Sequence, residues 1–256
     1  MNKFIAYFDI LGFKEYIYKR ESVFDLVKRD MEHLLLDTQK AVSEGKLKPI
    51  HNNPIGVMPD LENKKVNCLN ISDSIIFWTD DDDYSSFLDI FRISSEFYKN
   101  SLRNSAFLLR GSLGHGQIEY TDSQHKDEKT YASQLLYGKA LIDTYIMAEK
   151  QQSASFCLTE SIMTYLDKTL IELEEEKKII KDYVYFKNED DPKEVCLIPP
   201  NKGWFTEEKE IEFKNKFVIT DSERPILEDD FKMMKEEVKS KMENTLKLFR
   251  SLHQLL

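Results

Sequence analysis

The sequence predicts an α/β (α+β) sandwich, in which one mostly antiparallel sheet carries helices packed on one of its faces. Three observations predict it. The chain opens on a run of β-branched and aromatic residues that is typical of a buried strand. Short strand-like runs then recur along the chain. Segments with apolar residues at helical spacing separate these runs. A C-terminal helical extension completes the prediction.

Composition narrows the class of function. The 256 residues carry a net charge of −10, which argues against extended contact with a nucleic-acid backbone. An apolar run of membrane-spanning length and an N-terminal signal are both missing from the sequence, which predicts a cytoplasmic protein without a membrane partner. The three cysteines lack metal-ligand spacing, so we expect them to be reduced.

The first strand, residues 3–10, ends with an acid that does not suit a core. Asp9 follows a run of apolar residues, and Gly12 then breaks the strand before an amphipathic segment. Burying a carboxylate is costly unless it is paired or binds a cation. Asp9 is therefore either an N-cap for the following segment or a ligand in a binding site.

A second acid stands in the same kind of setting. Residues 66–78 read as a strand pair with Asp73 near the middle. Counting by twos, Asp73 shares its face with three apolar residues: Leu69, Ile71 and Ile75. Two acids on strand ends, far apart in sequence, suit a divalent-metal site built on adjacent strands.

The remaining segments of the N-terminal part follow from apolar spacing and from turn residues. A helical stripe follows a possible capping box at Ser22 and ends near Gly45. The proline-rich residues 46–65 predict a loop, and the acidic run 80–83 predicts a solvated helix start with Asp83 as N-cap, rather than a calcium site.

The next part is predicted as a strand over 107–120, a mobile polar loop over 121–134, a helix over 135–151 and a short strand over 155–159. His115 is expected to be an exposed strand residue. The order strand, helix, strand, strand, helix, strand, helix, strand indicates the ferredoxin-like arrangement.

Two regions are expected along the chain: a core over 1–160, and a C-terminal extension over 161–256 that packs on it. The extension contains a helix to about residue 177, strands at 184–186 and 195–198, and a long amphipathic helix over 229–256. That last helix packs on its own chain or takes part in dimerisation.

Four motifs carry a resemblance that covers roughly residues 1–160. They are FDILGF, ISDSIIF, LLRGSLGHG and LYGKALIDTYIMAE, in that order. Together they resemble the catalytic domain of class III nucleotidyl cyclases and, more narrowly, the pyrimidine cyclases of the Pycsar antiphage system. The resemblance implies a palm-like core and an enzyme that produces cyclic UMP or cyclic CMP.

The resemblance also implies a site. Asp9 and Asp73 would hold two divalent ions, Mn²⁺ or Mg²⁺, and the Ile10 carbonyl would complete the ligands of the second ion. Backbone N–H groups of Leu11, Gly12 and Phe13 would cradle the triphosphate at a helix N-terminus, with Gly12 permitting close approach.

This sequence departs from the family pattern at four positions. Leu69 and Leu135 replace the polar residues that read a purine in this class, which favours a single-ring base. Ile142 and Ile146 replace the Asn and Arg that stabilise the transition state. Two nearby cations are candidates to substitute for that pair: Arg110 and Lys139. A structural ion pair of Arg110, and a surface pair of Lys139 with Asp143, are the alternatives.

The resemblance and these departures together predict a metal-dependent pyrimidine nucleotide cyclase, acting as a homodimer with composite sites. UTP is favoured over CTP, and the product would be a signal in antiphage defence. A catalytically degenerate module that binds a nucleotide or a protein partner is the alternative, and a purine cyclase with a shifted pocket is a third. Retention of both acids favours an enzyme, because a dead site has no reason to keep two buried carboxylates unpaired.

Overall fold

A computed structural model describes residues 1–19, 24–51, 56–105, 107–124, 132–170, 184–187, 195–198, 208, 211 and 236–255. The strands are β1 (Asn2–Ile10), β2 (Leu47–Pro49), β3 (Val57–Pro59), β4 (Asn67–Ile71), β5 (Ser74–Trp78), β6 (Leu109–Gln117), β7 (Glu119–Gln124), β8 (Ala132–Tyr137), β9 (Phe156–Leu158), β10 (Val184–Lys187) and β11 (Val195–Ile198). The helices are α1 (Phe13–Lys19), α2 (Phe24–Val42), α3 (Tyr84–Asn100), α4 (Lys139–Lys150), α5 (Glu160–Leu170) and α6 (Glu236–Leu255), with a π-helical turn at Ser101–Ser105.

Seven strands form the main sheet, in the order β10-β11-β9-β6-β1-β5-β4. Every neighbouring pair is antiparallel except β6 and β9, which are parallel and are joined through α4. A parallel pair needs such a crossover, whereas the antiparallel pair β4–β5 closes with a two-residue turn. The predicted mixed α/β class with a mostly antiparallel sheet is confirmed.

The central strand β1 separates two cores, because successive side chains of a strand point to opposite faces. The even-numbered residues Phe4, Ala6 and Phe8 pack in a cluster that includes residues of α2, α3, α5 and α6. The odd-numbered residues Ile5 and Tyr7 pack in a second cluster that includes α4. The prediction that helices occupy one face is therefore wrong for α4, which covers the face to which Asp9 belongs.

The prediction for residues 121–151 is wrong in part. Strands β7 and β8 form a hairpin, where a polar loop was expected. Residues 135–137 are the end of β8, and α4 starts only after Gly138, whose φ of 145° interrupts the chain in a conformation that favours glycine. The sequence does not separate the end of β8 from α4, because Leu135 and Leu136 precede the helical pattern and resemble its first turn.

His115 is also less exposed than predicted. Its side chain is 16% exposed, and its ring packs on Phe4 and Tyr165 at centroid distances of 4.8 and 5.0 Å. The predicted short strand at 155–159 is confirmed as β9, and Asp83 occupies the N-cap position of α3, although its side chain makes no capping bond.

Helix α6 packs on the core of its own chain. Met242, Leu246 and Phe249 are buried in the larger cluster, and the backbone N–H of Ala154 donates to Thr245 Oγ1 at 2.7 Å. The expected cap at Ser22, the end of the predicted helix at 171–177 and the start of the last predicted helix at 229–235 lie outside the described residues. Among the helices described, none combines the length and the apolar character that a membrane span requires.

Candidate functional site

The candidate site lies where β1 ends, on the face of the sheet that α4 covers. Asp9 is the penultimate residue of β1 and lies opposite Arg110 of β6 on one side and Ser74 of β5 on the other. The side chain of Asp9 is 11% exposed. A charged group this buried needs compensation from its neighbours.

Asp73 reaches the same place through a tight turn. Ile71 and Ser74 pair directly, so only Ser72 and Asp73 connect β4 to β5. Ser72 has a φ of 56°, the left-handed conformation that two-residue hairpin turns demand. Since Ser74 lies opposite Asp9, the turn holds Asp73 close enough to raise the pKa of Asp9. The structure thus brings together the two acids that the sequence singled out.

Arg110 compensates Asp9. Its Nε and Nη2 atoms both donate to Asp9 Oδ2, at 2.9 and 2.8 Å. The remaining contacts go to the last turn of α4: Nη1 donates to the Glu149 carbonyl oxygen at 3.0 Å, and Nη2 also donates to Glu149 Oε1. The expectation that both acids are unpaired is therefore wrong for Asp9. The structural ion pair that was the alternative for Arg110 is present.

Burial has the largest effect on the pKa values of this group, and an excess of negative charge adds to it for Asp9. Burial raises the pKa of Asp9 to about 6; the contacts with Arg110 oppose this rise, and the charges of Asp73 and Glu149 add to it. Burial lowers the pKa of Arg110, but its contacts with Asp9 and Glu149 outweigh burial and raise it overall. Two carboxylates, of Asp9 and Glu149, pair with one guanidinium, and Asp73 adds a third negative charge near Asp9, so the group favours a further cation.

Two members of the site were not predicted from the sequence. Glu149 lies on α4, and nothing in its local sequence distinguishes it from a solvated helix residue. Tyr7 reads as a core residue, yet its hydroxyl shares a 2.8 Å hydrogen bond with Ser74 Oγ, and its ring meets Tyr145 edge-on at 5.4 Å. Burial raises the pKa of Tyr7 to about 12, with the charges of Asp9, Asp73 and Glu149 contributing. The lone Arg110 in a buried strand was the one available signal that an acid lies beside it.

The donor set suits a divalent ion. In the described part of the chain, Asp9 Oδ1 and the Asp73 carboxylate make no hydrogen bond or ion pair, and carboxylate oxygens are the ligands that Mg²⁺ and Mn²⁺ prefer. Groups of three or more His, Cys, Asp or Glu side chains that could hold a metal do not occur among the described residues. An ion here would thus take its other ligands from backbone, substrate or water.

The proposed phosphate cradle is partly occupied. The Leu11 N–H donates to the Leu108 carbonyl at 2.9 Å and is therefore used within the fold. Gly12 has a φ of 75°, which favours glycine, and α1 begins at Phe13. Ile10, the expected carbonyl ligand, ends β1 opposite Leu109.

The other predicted residues are Leu69, Leu135 and Lys139, of which Leu69 packs in the same cluster as Tyr7. Leu69 is half-buried in β4, and Leu135 is 55% exposed in the separate β7–β8 sheet. The Lys139 side chain is 85% exposed and pairs with Asp143 at 3.0 Å, which is the surface pair given as its alternative. Within the described part of the chain, Asp143 is the one ion-pair partner of Lys139.

No protein-family model matches the chain, and no curated protein matches it. Solved structures do match. The guanylyl cyclase domain of a rhodopsin fusion protein from the fungus Blastocladiella emersonii is 13% identical, with 77% of this chain and 94% of that chain covered and a TM-score of 0.49.

Two further matches are of the same kind. The guanylate cyclase domain from Catenaria anguillulae in complex with GTP is 12% identical, covering 77% and 93% of the two chains at a TM-score of 0.49. The adenylyl cyclase CyaB from P. aeruginosa is 9% identical, covering 78% and 95% at a TM-score of 0.46. At these identities and TM-scores below 0.5, the activity of this chain has to be inferred from its own residues.

Proposed function

We propose that this protein is a metal-dependent nucleotide cyclase that converts a pyrimidine nucleoside triphosphate, with UTP favoured over CTP, to the 3′,5′-cyclic monophosphate and pyrophosphate. The observation that carries the proposal is that Asp9, near the end of β1, and Asp73, in the turn that leads into the neighbouring strand β5, lie close together with carboxylate oxygens left free for a cation. The motif resemblance of residues 1–160 supports it. A role of the product as a signal in antiphage defence follows from the same resemblance.

The chemistry asks the chain mainly for positioning and charge. The ribose 3′-hydroxyl attacks the α-phosphorus while pyrophosphate leaves in line, so neutralising and aligning the phosphates dominates catalysis. Asp9, Asp73 and the Ile10 carbonyl would hold two divalent ions, which would lower the pKa of the 3′-hydroxyl and bind the phosphates. Gly12 and Phe13 would offer N–H groups to the phosphates, and Arg110 is the cation in place to offset negative charge.

The substrate class rests on two leucines. By the resemblance, Leu69 and Leu135 occupy the positions that hydrogen-bond a purine in this class. A site without hydrogen-bonding groups at these positions cannot select a purine over a pyrimidine. Leucine also adds bulk, which favours a single-ring base. UTP is preferred over CTP on the resemblance alone.

A second copy of the chain would complete the site. Helix α4 exposes two isoleucines, Ile142 by 57% and Ile146 by 43%, and Tyr145, whose ring also meets Tyr7, is 44% exposed. Such an apolar face is typical of an interface. In a two-fold dimer each α4 would reach the partner's acids, so that both sites are composite.

A degenerate nucleotide-binding or protein-interaction module is the second candidate. One observation favours it: Arg110 already satisfies Asp9 Oδ2, so the pair needs no metal to remain buried. A chain that had lost its metals would be stable with this arrangement.

Incubation of the purified chain with Mn²⁺ and each of ATP, GTP, CTP and UTP separates these readings. We expect cyclic UMP or cyclic CMP from the wild-type protein and none from Asp73→Asn. The matched control is Glu96→Gln, which removes an acidic side chain from the exposed side of α3, a helix packed on the opposite face of the sheet. Cyclic AMP or cyclic GMP as main product would refute the pyrimidine assignment, and no product from any substrate would favour the degenerate module.

A further inference from the structure

Glu149 is the last residue of the fourth motif, LYGKALIDTYIMAE, but the proposed function gives this acid no role. It lies in the last turn of α4, with its side chain 39% exposed, and two of its oxygens accept from Arg110. The other two contacts of the same guanidinium go to a single oxygen of Asp9. Asp9 and Glu149 therefore hold two adjacent edges of the guanidinium, which share Nη2.

The main-chain contact fixes where the guanidinium lies. Helix α4 ends at Lys150, so the Glu149 carbonyl is among the final four that lack a partner within the helix. Arg110 Nη1 satisfies it at 3.0 Å, and a cation at a helix C-terminus is favourable. Gln151 fastens the same end to β6, because its Nε2 donates to the Gly111 carbonyl at 2.7 Å. Arg110 is thus positioned by the C-terminal end of α4, which is itself hydrogen-bonded to β6.

The contact between Arg110 and the Glu149 carboxylate determines the net charge around a metal ion at Asp9. Arg110 occupies Asp9 Oδ2 and adds a positive charge beside it, and both effects oppose a divalent cation. Glu149 offsets that charge and gives Nη2 a second acceptor, so the guanidinium does not depend on Asp9 alone. Asp9, Asp73, Glu149 and Arg110 together carry two net negative charges with Glu149 ionised, and one without it.

We propose that Glu149 is the positioning residue of this site: it holds and neutralises Arg110, so that Asp9 stays available to a divalent ion. The inference rests on the proposed function, since it assumes that Asp9 and Asp73 bind the ion. In this proposal Glu149, at the C-terminal end of α4, raises the affinity of the site for the metal without binding the metal itself.

The test measures binding of Mn²⁺ alone to the full chain at pH 7.5, from the electron paramagnetic resonance signal of the free ion. Glu149→Gln keeps the shape and the main-chain contact but removes the charge. We expect it to weaken Mn²⁺ binding about tenfold, the order for losing one elementary charge near a divalent ion at a dielectric between protein and water. Glu149→Asp keeps the charge, and we expect its affinity to stay within about threefold of wild type.

Two controls complete the experiment. Glu96→Gln removes an exposed acid from the opposite face of the sheet, and we expect wild-type affinity. Asp73→Asn removes a proposed ligand, and we expect binding to be lost. If Glu149→Gln only lowers the melting temperature and binds Mn²⁺ as tightly as wild type, Glu149 is a structural contact and the inference is refuted. If wild type and Asp73→Asn bind alike, or neither binds, the proposed metal site fails and the inference fails with it.

Discussion

Replacing Arg110 by methionine tests the electrostatic account of the site. Methionine fills much of the same space without charge, so the change leaves Asp9 buried beside two other carboxylates and without a cation. Removing one partner of a buried ion pair costs about 3–5 kcal/mol. The lower end applies here, because Glu149 is 39% exposed and can be hydrated, and because Asp9 can take up a proton.

The cost should depend on pH with a defined sign. Arg110 lowers the pKa of Asp9, so its removal lifts that pKa further above the present value of about 6. Near pH 8 ionised Asp9 is uncompensated, and a loss of about 3 kcal/mol corresponds to a melting temperature lower by about 6–12 °C. Near pH 5 Asp9 is protonated in the folded variant, and the loss falls to about 1 kcal/mol, or about 2–4 °C.

Thermal unfolding followed by circular dichroism at both pH values, without metal and then with Mn²⁺, measures these effects. An ion bound at Asp9 replaces the missing cation, so Mn²⁺ should raise the melting temperature of Arg110→Met more than that of wild type. A variant that melts within about 1 °C of wild type at pH 8 would refute the reasoning, as would a loss that is equal at both pH values.

Three further outcomes follow from the same structure. Without metal, the stability of Asp9→Asn relative to that of wild type should increase by at most about 3 kcal/mol from pH 4 to pH 8, because folded Asp9 has its pKa raised from 3.8 to about 6. This increase should be lost as the pH falls from about 6 to about 4, since Asp9 of the wild-type protein then takes up a proton. Urea unfolding from pH 4 to pH 8 measures the difference. A difference that does not change with pH would contradict the pKa shift. Gly111→Ala should cost about 1–3 kcal/mol in urea unfolding, because the added methyl overlaps the buried Phe8 ring; an unchanged midpoint would show that the ring can move aside. Lys139→Ala should change stability by less than about 0.5 kcal/mol and leave turnover unchanged, because its pair with Asp143 is exposed; a large loss of turnover would restore Lys139 to the site.

The sequence predicted those parts of the site in which a charged residue stands in an apolar segment. Asp9 and Asp73 were found because acids in apolar strands demand an explanation, and the structure brings them together. The strand pair around Asp73 was found because apolar alternation and length identify a hairpin.

The contacts of Arg110 could not be predicted, because they depend on strand pairing over long distances. Asp9 and Arg110 are 101 residues apart, and only the register of β1 against β6 makes them neighbours. Glu149 joins them because α4 crosses that face of the sheet, and local sequence does not encode such a crossing. The same limit explains the misplaced start of α4, where β8 and the helix are both apolar and only the φ of Gly138 separates them.

The position of Asp73 depends on the number of residues in the turn between β4 and β5. With two residues between paired Ile71 and Ser74, one inserted or deleted residue would break the ladder or turn every following side chain of β5 to the other face. Evolution can therefore remove this acid only by substitution and not by shortening or lengthening the segment. Homologous chains that have abandoned metal binding should keep the turn at constant length and show a different residue at position 73.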